Sequence, residues 1–262
     1  MRPAAAHSDA SVRDVLVALT SADLHVRFGR GKSQFVKWLL DPFALVGVYL
    51  LFVSFVLPRS THTHAVGLSL ACAVVPFQLV MMSVTSGMNA ITGRRSIVLN
   101  MRFKRVLIPI STVLSETVAF AGSFVLLALM MGAYGVAPTT ATLWFPVVVL
   151  VSVVSGFGIA YPASLFGLWF PELRNFAVSI VRALFFVAPG LVALPQIHGG
   201  AHTIFQLNPL TGLFESYRAV LLYGHRPSAL HLLYPLAWAA VLLAIFVPLY
   251  TREQWQFAKV VE

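Results

Sequence analysis

The sequence predicts an all-α integral membrane protein with six transmembrane helices, an N-terminal amphipathic interface helix and short outer re-entrant helices between spans five and six. Apolar residues make up 58 % of the chain and charged residues only 10 %, whereas soluble domains carry about 25 % charged residues. Six apolar stretches are each long enough to cross a hydrocarbon core of ~30 Å as a helix. The stretches are Leu39–Leu57, Gly67–Ala90, Val106–Met131, Leu143–Phe170, Phe176–Pro195 and Leu230–Tyr250.

The basic residues lie mainly on alternate polar segments, and this asymmetry predicts the orientation. Of the 18 Lys and Arg residues, 15 fall on the N-terminal segment, the second and fourth connections and the C-terminal tail. In this assignment Arg174 and Arg182 belong to the fourth connection. Because basic residues near span ends are retained in the cytoplasm, both termini are predicted to be cytoplasmic. The net charge of +9 then reflects loops beside anionic lipid rather than binding of nucleic acid.

The chain divides into a cytoplasmic N-terminal segment, residues 1–38, and a six-span domain, residues 39–262. The first segment has no apolar core of the kind found in a signal peptide, so the first span is expected to direct insertion. Residues 11–20 predict a short amphipathic helix with Ser11 as its N-cap. Its apolar face consists of Val12, Val15, Leu16 and Leu19. Such a helix either anchors the chain at the membrane surface or docks a cytoplasmic partner.

Residues 31–33, Gly-Lys-Ser, resemble the end of an ATP-binding phosphate loop. That motif requires a glycine five positions before Gly31, where this chain has Val26. A membrane span also follows within a few residues. The sequence therefore predicts that this chain does not hydrolyse ATP itself.

The connection after the second span, residues 93–105, is the most basic stretch of the chain. It contains Arg94, Arg95 and Arg102, and its apolar residues fit one face of a short helix. One interpretation is a loop whose charges only set the topology. The other is a short helix that fits a groove of a separate ATPase.

The outer segment before span six, residues 208–224, predicts a helix that is too short and too charged to be a further span. Asn208 suits the N-cap and Pro209 the first helical position, while Gly224 is a natural stop. Glu215 and Arg218 are three residues apart and can pair. The apolar face of this helix comprises Leu210, Leu213, Phe214, Tyr217, Val220 and Leu221.

Glu116 is the one acidic residue that lies well inside a predicted span, and this span is the third. A charge there normally faces a bundle interior or water, so Glu116 is either a hydrogen-bonded structural carboxyl or part of a gate or pathway. Aromatic side chains suit sugar rings as well as helix packing. The aromatic candidates for a pathway are Tyr49, Phe52, Phe77, Tyr161 and Phe185. No catalytic, cofactor or metal site is predicted. Cys72 lies inside the second predicted span and is interpreted as an apolar packing residue.

Residues 208–218 read NPLTGLFESYR. This stretch resembles the N-P-[LMF]-T-x-x-[IFL]-E-x-[YF]-R motif of the ABC-2 type permeases that export polysaccharides and polyol phosphates. Residues 26–28 with Asp41-Pro42 are similar to the family's basic-aromatic stretch before span one, and residues 103–109 to its segment before span three. At residues 170–175 the family's F-R-D order is altered. The resemblance covers nearly the whole chain.

The resemblance implies the membrane subunit of an exporter of a lipid-linked polysaccharide or polyol-phosphate polymer, such as O-antigen, capsule or teichoic acid. It implies a homodimer in the bacterial inner membrane, with two copies of a separate ATPase that holds ATP and Mg²⁺. The residues expected to couple to that ATPase are Leu16, Leu19, Arg94, Arg95 and Arg102. The residues expected at an outer gate are Asn208, Pro209, Leu213, Phe214, Glu215 and Arg218.

Two other functions are consistent with a six-span chain. An ABC-2 exporter of a small lipid or drug differs mainly in substrate. An integral membrane enzyme that modifies lipids needs acid, His or metal ligands clustered at one membrane face, and the sequence shows no such cluster.

Overall fold

The computed structural model describes residues 11–28, 40, 43–51, 55, 65–100, 103–196 and 199–257. No β-strand occurs within these ranges, and residues 43–51 are helical. Short 3₁₀ turns lie at Thr92–Arg94, Thr140–Trp144, Pro171–Leu173 and Leu194–Gln196. The other helices are α1 Val12–Phe28, α2 Val66–Asn89, α3 Arg95–Asn100, α4 Leu107–Ala121, α5 Ser123–Ala133, α6 Phe145–Trp169, α7 Arg174–Val187, α8 Gly200–Gln206, α9 Pro209–Leu221 and α10 Ala229–Glu253.

Four helical stretches in the described part of the chain are long and apolar enough to cross a membrane: Val66–Asn89, Leu107–Ala133, Thr140–Trp169 and Ala229–Glu253. They coincide with the second, third, fourth and sixth predicted spans to within a few residues. The third is built from α4 and α5, which meet at Gly122. The prediction of an all-α integral membrane protein is therefore confirmed.

The fifth predicted span, Phe176–Pro195, extends beyond its helix. The structure ends α7 at Val187, and the next residue, Ala188, is extended with φ −98° and ψ 163°. Pro189 explains this end, because the residue before a proline is sterically pushed out of the helical region. Because α7 begins at Arg174, Arg182 lies inside this helix and not in a connection, which corrects its assignment above.

The first predicted span, Leu39–Leu57, lies partly outside the described residues. Residues 43–51 of it are helical, as predicted. The count of six spans stays a prediction.

The α2 helix forms the centre of the bundle and packs along α6, while α10 packs on the other side of α6 and on α9. Small residues allow the close crossing of α2 and α6. A Cβ added to Gly167 of α6 would lie 2.1 Å from the backbone oxygen of Met88 in α2. Contacts of this kind bring helix backbones together in membrane proteins.

Several arginines gather where α2 and α6 end and α4 begins, a region we call the basic end. Arg174 donates from Nε to the oxygen of Gly167 at 2.9 Å and from Nη1 to Asn89 Oδ1 at 3.2 Å. Arg105 donates to the oxygen of Gln254, just beyond α10. These bonds tie the basic connections to one another, and α9 lies toward the opposite end of the bundle.

Candidate functional site

The α9 helix begins as its sequence predicts. Asn208 is extended, with φ −79° and ψ 123°, and its side chain accepts a hydrogen bond from the backbone N–H of Leu210 at 3.0 Å. Pro209 occupies the first helical position. The helix ends at Leu221, and Gly224 follows with φ +66°, a left-handed conformation that favours glycine. The predicted cap, first residue and stop are all confirmed.

Protein surrounds α9 on every side. Residues 210–221 are all buried, and the helix packs against α2, α6 and α10. Gly212 allows the contact with α10, since a Cβ there would lie 2.4 Å from the oxygen of His231. The apolar face predicted for this helix is thus shielded by the chain's own helices.

The charged residues of α9 form a buried ion pair. Arg218 Nη1 lies 2.8 Å from Glu215 Oε1, and their side chains are 0 % and 6 % exposed. The predicted pairing is confirmed. An ion pair this deeply buried is strongly destabilised when one partner is removed, because the other charge is left uncompensated.

Arg218 also holds two other parts of the chain. Its Nε donates to the backbone oxygen and to Oγ of Ser69 in α2, both at 3.1 Å. Its Nη1 and Nη2 donate to the oxygens of Pro189 at 2.6 Å and Gly190 at 3.0 Å. Glu215 accepts from the N–H of Leu194 at 3.0 Å. We call this set of bonds the α9 clamp, because it fixes the connection after α7 to α9 and α2.

Three of the predicted pathway aromatics meet beside the α9 clamp. The ring of Phe185 lies 4.7 Å from Phe77, 5.1 Å from Tyr49 and 5.7 Å from Phe214 of α9. Phe185 and Phe214 are 0 % exposed. This aromatic cluster joins α2, α7, α9 and the helical residues 43–51, and it packs the helices against the predicted gate residues.

The remaining pathway candidates lie elsewhere. Tyr161 is at the basic end, where its hydroxyl donates to the oxygen of Val106 at 3.0 Å and its ring is 5.4 Å from Tyr250. Glu116 of α4 is 5 % exposed and accepts from Ser86 Oγ at 2.6 Å. Phe52 lies outside the described residues.

A second site is a cavity of about 480 Å³ at the basic end, which we call the α1 cavity. It lies between α1, α2, α4 and the turn that leads to α3. Its polar lining includes Asp23, Ser86, Arg94, Thr112, Ser115 and Glu116. The cavity therefore brings Glu116, a pathway candidate, close to Arg94, a coupling candidate, although they belong to different parts of the sequence.

Of the other coupling candidates, Leu19 also lines this cavity. Ser11 caps α1 as predicted, accepting from the N–H of Arg13 at 3.3 Å. Leu19 is 6 % exposed and lines the α1 cavity, Leu16 is half-buried, and Arg95 is exposed on α3. Arg102 lies outside the described residues.

The sequence interpretation missed Asp23. This residue is part of α1, which continues to Phe28 instead of ending near Thr20. Asp23 pairs with Arg94, 71 residues away. No local pattern indicates such a contact, because pairing at that distance depends on how α1 docks on α4.

The chain resembles known export proteins over nearly its full length. No protein-family model matches it. It is 27 % identical to the O-antigen export system permease protein RfbA of Myxococcus xanthus over 250 residues, covering 94 % of this chain and 95 % of the relative. An RfbA of Klebsiella pneumoniae is 25 % identical over 80 % of this chain and 81 % of its own. The polysialic acid transport protein KpsM of Escherichia coli is 24 % identical over 95 % and 98 %.

The likeness is to permease and transport proteins of polysaccharide export as whole chains and not to one motif, because the matches span most of both partners. The chain itself is a multi-pass membrane protein.

Proposed function

We propose that this permease is the membrane subunit of an ABC exporter that moves a lipid-linked polysaccharide or polyol-phosphate polymer from the cytoplasmic side of the membrane to the outside. One observation carries the proposal: the relatives that match it from end to end are named as permease and transport proteins for O-antigen and polysialic acid. The four long apolar helices and the buried α9 clamp fit a permease body.

The energy for export comes from a separate ATPase subunit that binds ATP and Mg²⁺. The phosphate-loop motif in this chain is incomplete, since Val26 stands at the position of its first glycine. Force from the ATPase has to enter through cytoplasmic surfaces. The α1 helix and the connection that carries Arg94 and Arg95 form such a surface at the basic end.

The working unit is a homodimer of this permease with two copies of the ATPase. The α7 helix supports this arrangement. Its exposed face combines apolar Phe176, Ile180 and Phe186 with exposed Arg182. A charge inside a span is costly against lipid and normally faces a bundle interior or water. A second subunit beside α7 would cover the apolar residues, and a hydrated pathway would keep Arg182 in contact with water.

The α9 clamp and the aromatic cluster act as the outer gate of that pathway. The Arg218 guanidinium holds the connection after α7, and Phe214 of α9 packs on Phe185 of α7. A shift of α7 during transport therefore moves α9 through these direct contacts. The polymer enters from the inner leaflet and leaves between the paired subunits.

A gene deletion in the source cell tests the proposed function. Loss of the permease is expected to leave full-length lipid-linked polymer inside the cell, with little on the surface, and the reintroduced gene is expected to restore it. Normal surface polymer in the deletion strain overturns the proposal. Normal polymer together with sensitivity to an exported small lipid or drug points to the alternative substrate class.

A further inference from the structure

An ion pair links α1 to the turn before α3. Arg94 Nε donates to Asp23 Oδ1 at 3.2 Å, and its Nη2 donates to Asp23 Oδ2. Arg94 Nη1 donates to the oxygen of Ala90 at 3.1 Å and to Thr112 Oγ1 at 3.0 Å. Ser115 Oγ donates to Asp23 Oδ2 at 3.2 Å. The pair thus joins α1, the end of α2 and α4 at one point.

The geometry makes this pair the main link between α1 and the basic connection. The α1 helix packs mainly on α4, with Leu19 buried at that contact. Toward α2 and the turn before α3, the α1 cavity of about 480 Å³ takes the place of close packing. A movement of α1 therefore reaches the basic connection through Asp23 and Arg94 more than through apolar side chains.

A role in topology does not require this arrangement. An arginine that only marks the cytoplasmic side needs no partner and can extend into water or toward lipid headgroups. The Arg94 side chain is instead 10 % exposed and Asp23 is 28 % exposed. Two parallel N–H···O bonds between a guanidinium and a carboxylate fix orientation as well as distance.

We propose that Asp23 and Arg94 are positioning residues that make α1 and the basic connection move as one rigid unit when the ATPase acts on them. This inference rests on the proposed function. It changes the role expected for Arg94 from the sequence, because Arg94 then acts inside the permease and not at the contact with the ATPase. In this role the pair transmits movement from the ATPase to the spans.

The test uses the full permease with its ATPase in vesicles that contain lipid-linked polymer, and it measures ATP hydrolysis and polymer export together. Asp23→Asn is expected to lower the polymer exported per ATP about fivefold, a change that corresponds to about 1 kcal/mol and is within the range for loss of a hydrogen-bonded charge. ATP hydrolysis is expected to persist. Asp14→Asn is the matched control, since Asp14 is an exposed acid on the same helix, and it should export normally.

A covalent link separates coupling from a loss of folding. In the Asp23→Cys, Arg94→Cys double variant, a short thiol cross-linker replaces the ion pair. Native Cys72 is buried and does not compete. We expect export per ATP to be low before cross-linking and to recover after it. If the pair only stabilises the fold, its loss lowers the protein level and leaves export per ATP unchanged.

Three outcomes overturn the inference. The first is normal export per ATP in Asp23→Asn. The second is a double cysteine variant that is less abundant but has unchanged export per ATP, and the third is export that stops when the cross-link forms. The last result means that the pair has to open during transport. Absence of export by the unaltered complex is different, because it contradicts the proposed function itself.

Discussion

At position 218, an arginine enclosed entirely by protein makes five hydrogen bonds within 3.1 Å, to a carboxylate, a hydroxyl and three backbone oxygens. Such a side chain fixes the relative orientation of the segments that it binds more than it adds net stability. The free energy of burying both charges is nearly as large as the free energy of their attraction. The consequence is an asymmetry between single and double substitutions.

Arg218→Met is expected to destabilise the permease by about 3–5 kcal/mol, because Glu215 is left buried without its partner. Adding Glu215→Leu in the same chain should cost much less than the sum of the two single losses. Thermal unfolding in detergent measures both effects. Arg226→Met is the control, since Arg226 is exposed and its loss should stay within about 0.5 kcal/mol. Additive losses at positions 215 and 218 contradict the coupling.

The residue scale also shows what the sequence could predict. The pairing of Glu215 with Arg218 and the cap at Asn208 follow from spacing within one helix. The bonds from Arg218 to Ser69, Pro189 and Gly190 do not, since these partners lie up to 149 residues away. The apolar spacing of the helix likewise does not distinguish buried Phe214 from a lipid-facing residue.

Among the helices, α2 and α6 cross most closely, and glycine permits the contact. Gly167→Leu is expected to destabilise the permease by about 1–3 kcal/mol, because the added side chain meets the backbone of Met88, which cannot move aside easily. Gly132→Leu is the matched control, since nothing lies within 4 Å of a Cβ added there. The yield of monodisperse protein and its unfolding temperature in detergent measure the difference; equal values for both variants contradict the packing described.

At the element scale, apolar length predicted most helices and misplaced the end of one. The spans at Val66–Asn89, Leu107–Ala133, Thr140–Trp169 and Ala229–Glu253 follow from hydropathy alone. The α7 helix stops at Val187 because of Pro189, although the apolar residues continue beyond it. The α1 helix runs past its predicted end, since its second half is held by contacts such as Asp23 with Arg94, which only the folded chain brings together.

For the whole molecule, the charge asymmetry predicts that the basic end faces the cytoplasm. Reporter tags at the N-terminus, beside Arg95 and at Glu262 are therefore expected to report the cytoplasm, and a tag beside Pro138 the outside. Residues 134–139 form a turn and an irregular stretch between α5 and α6, so a tag there should leave the spans intact. A C-terminal tag that reports the outside contradicts an even number of spans.

Export by this complex depends on a separation of roles between the permease and its ATPase. The most direct measurement is export in vesicles that hold lipid-linked polymer and nucleotide on the same side of the membrane. An enzyme that cannot cross the membrane is placed on the other side and acts on the polymer that has been exported. We expect polymer to become accessible only when the permease, the ATPase, ATP and Mg²⁺ are all present. Export by the permease without the ATPase, or ATP hydrolysis by the permease alone, would contradict the account.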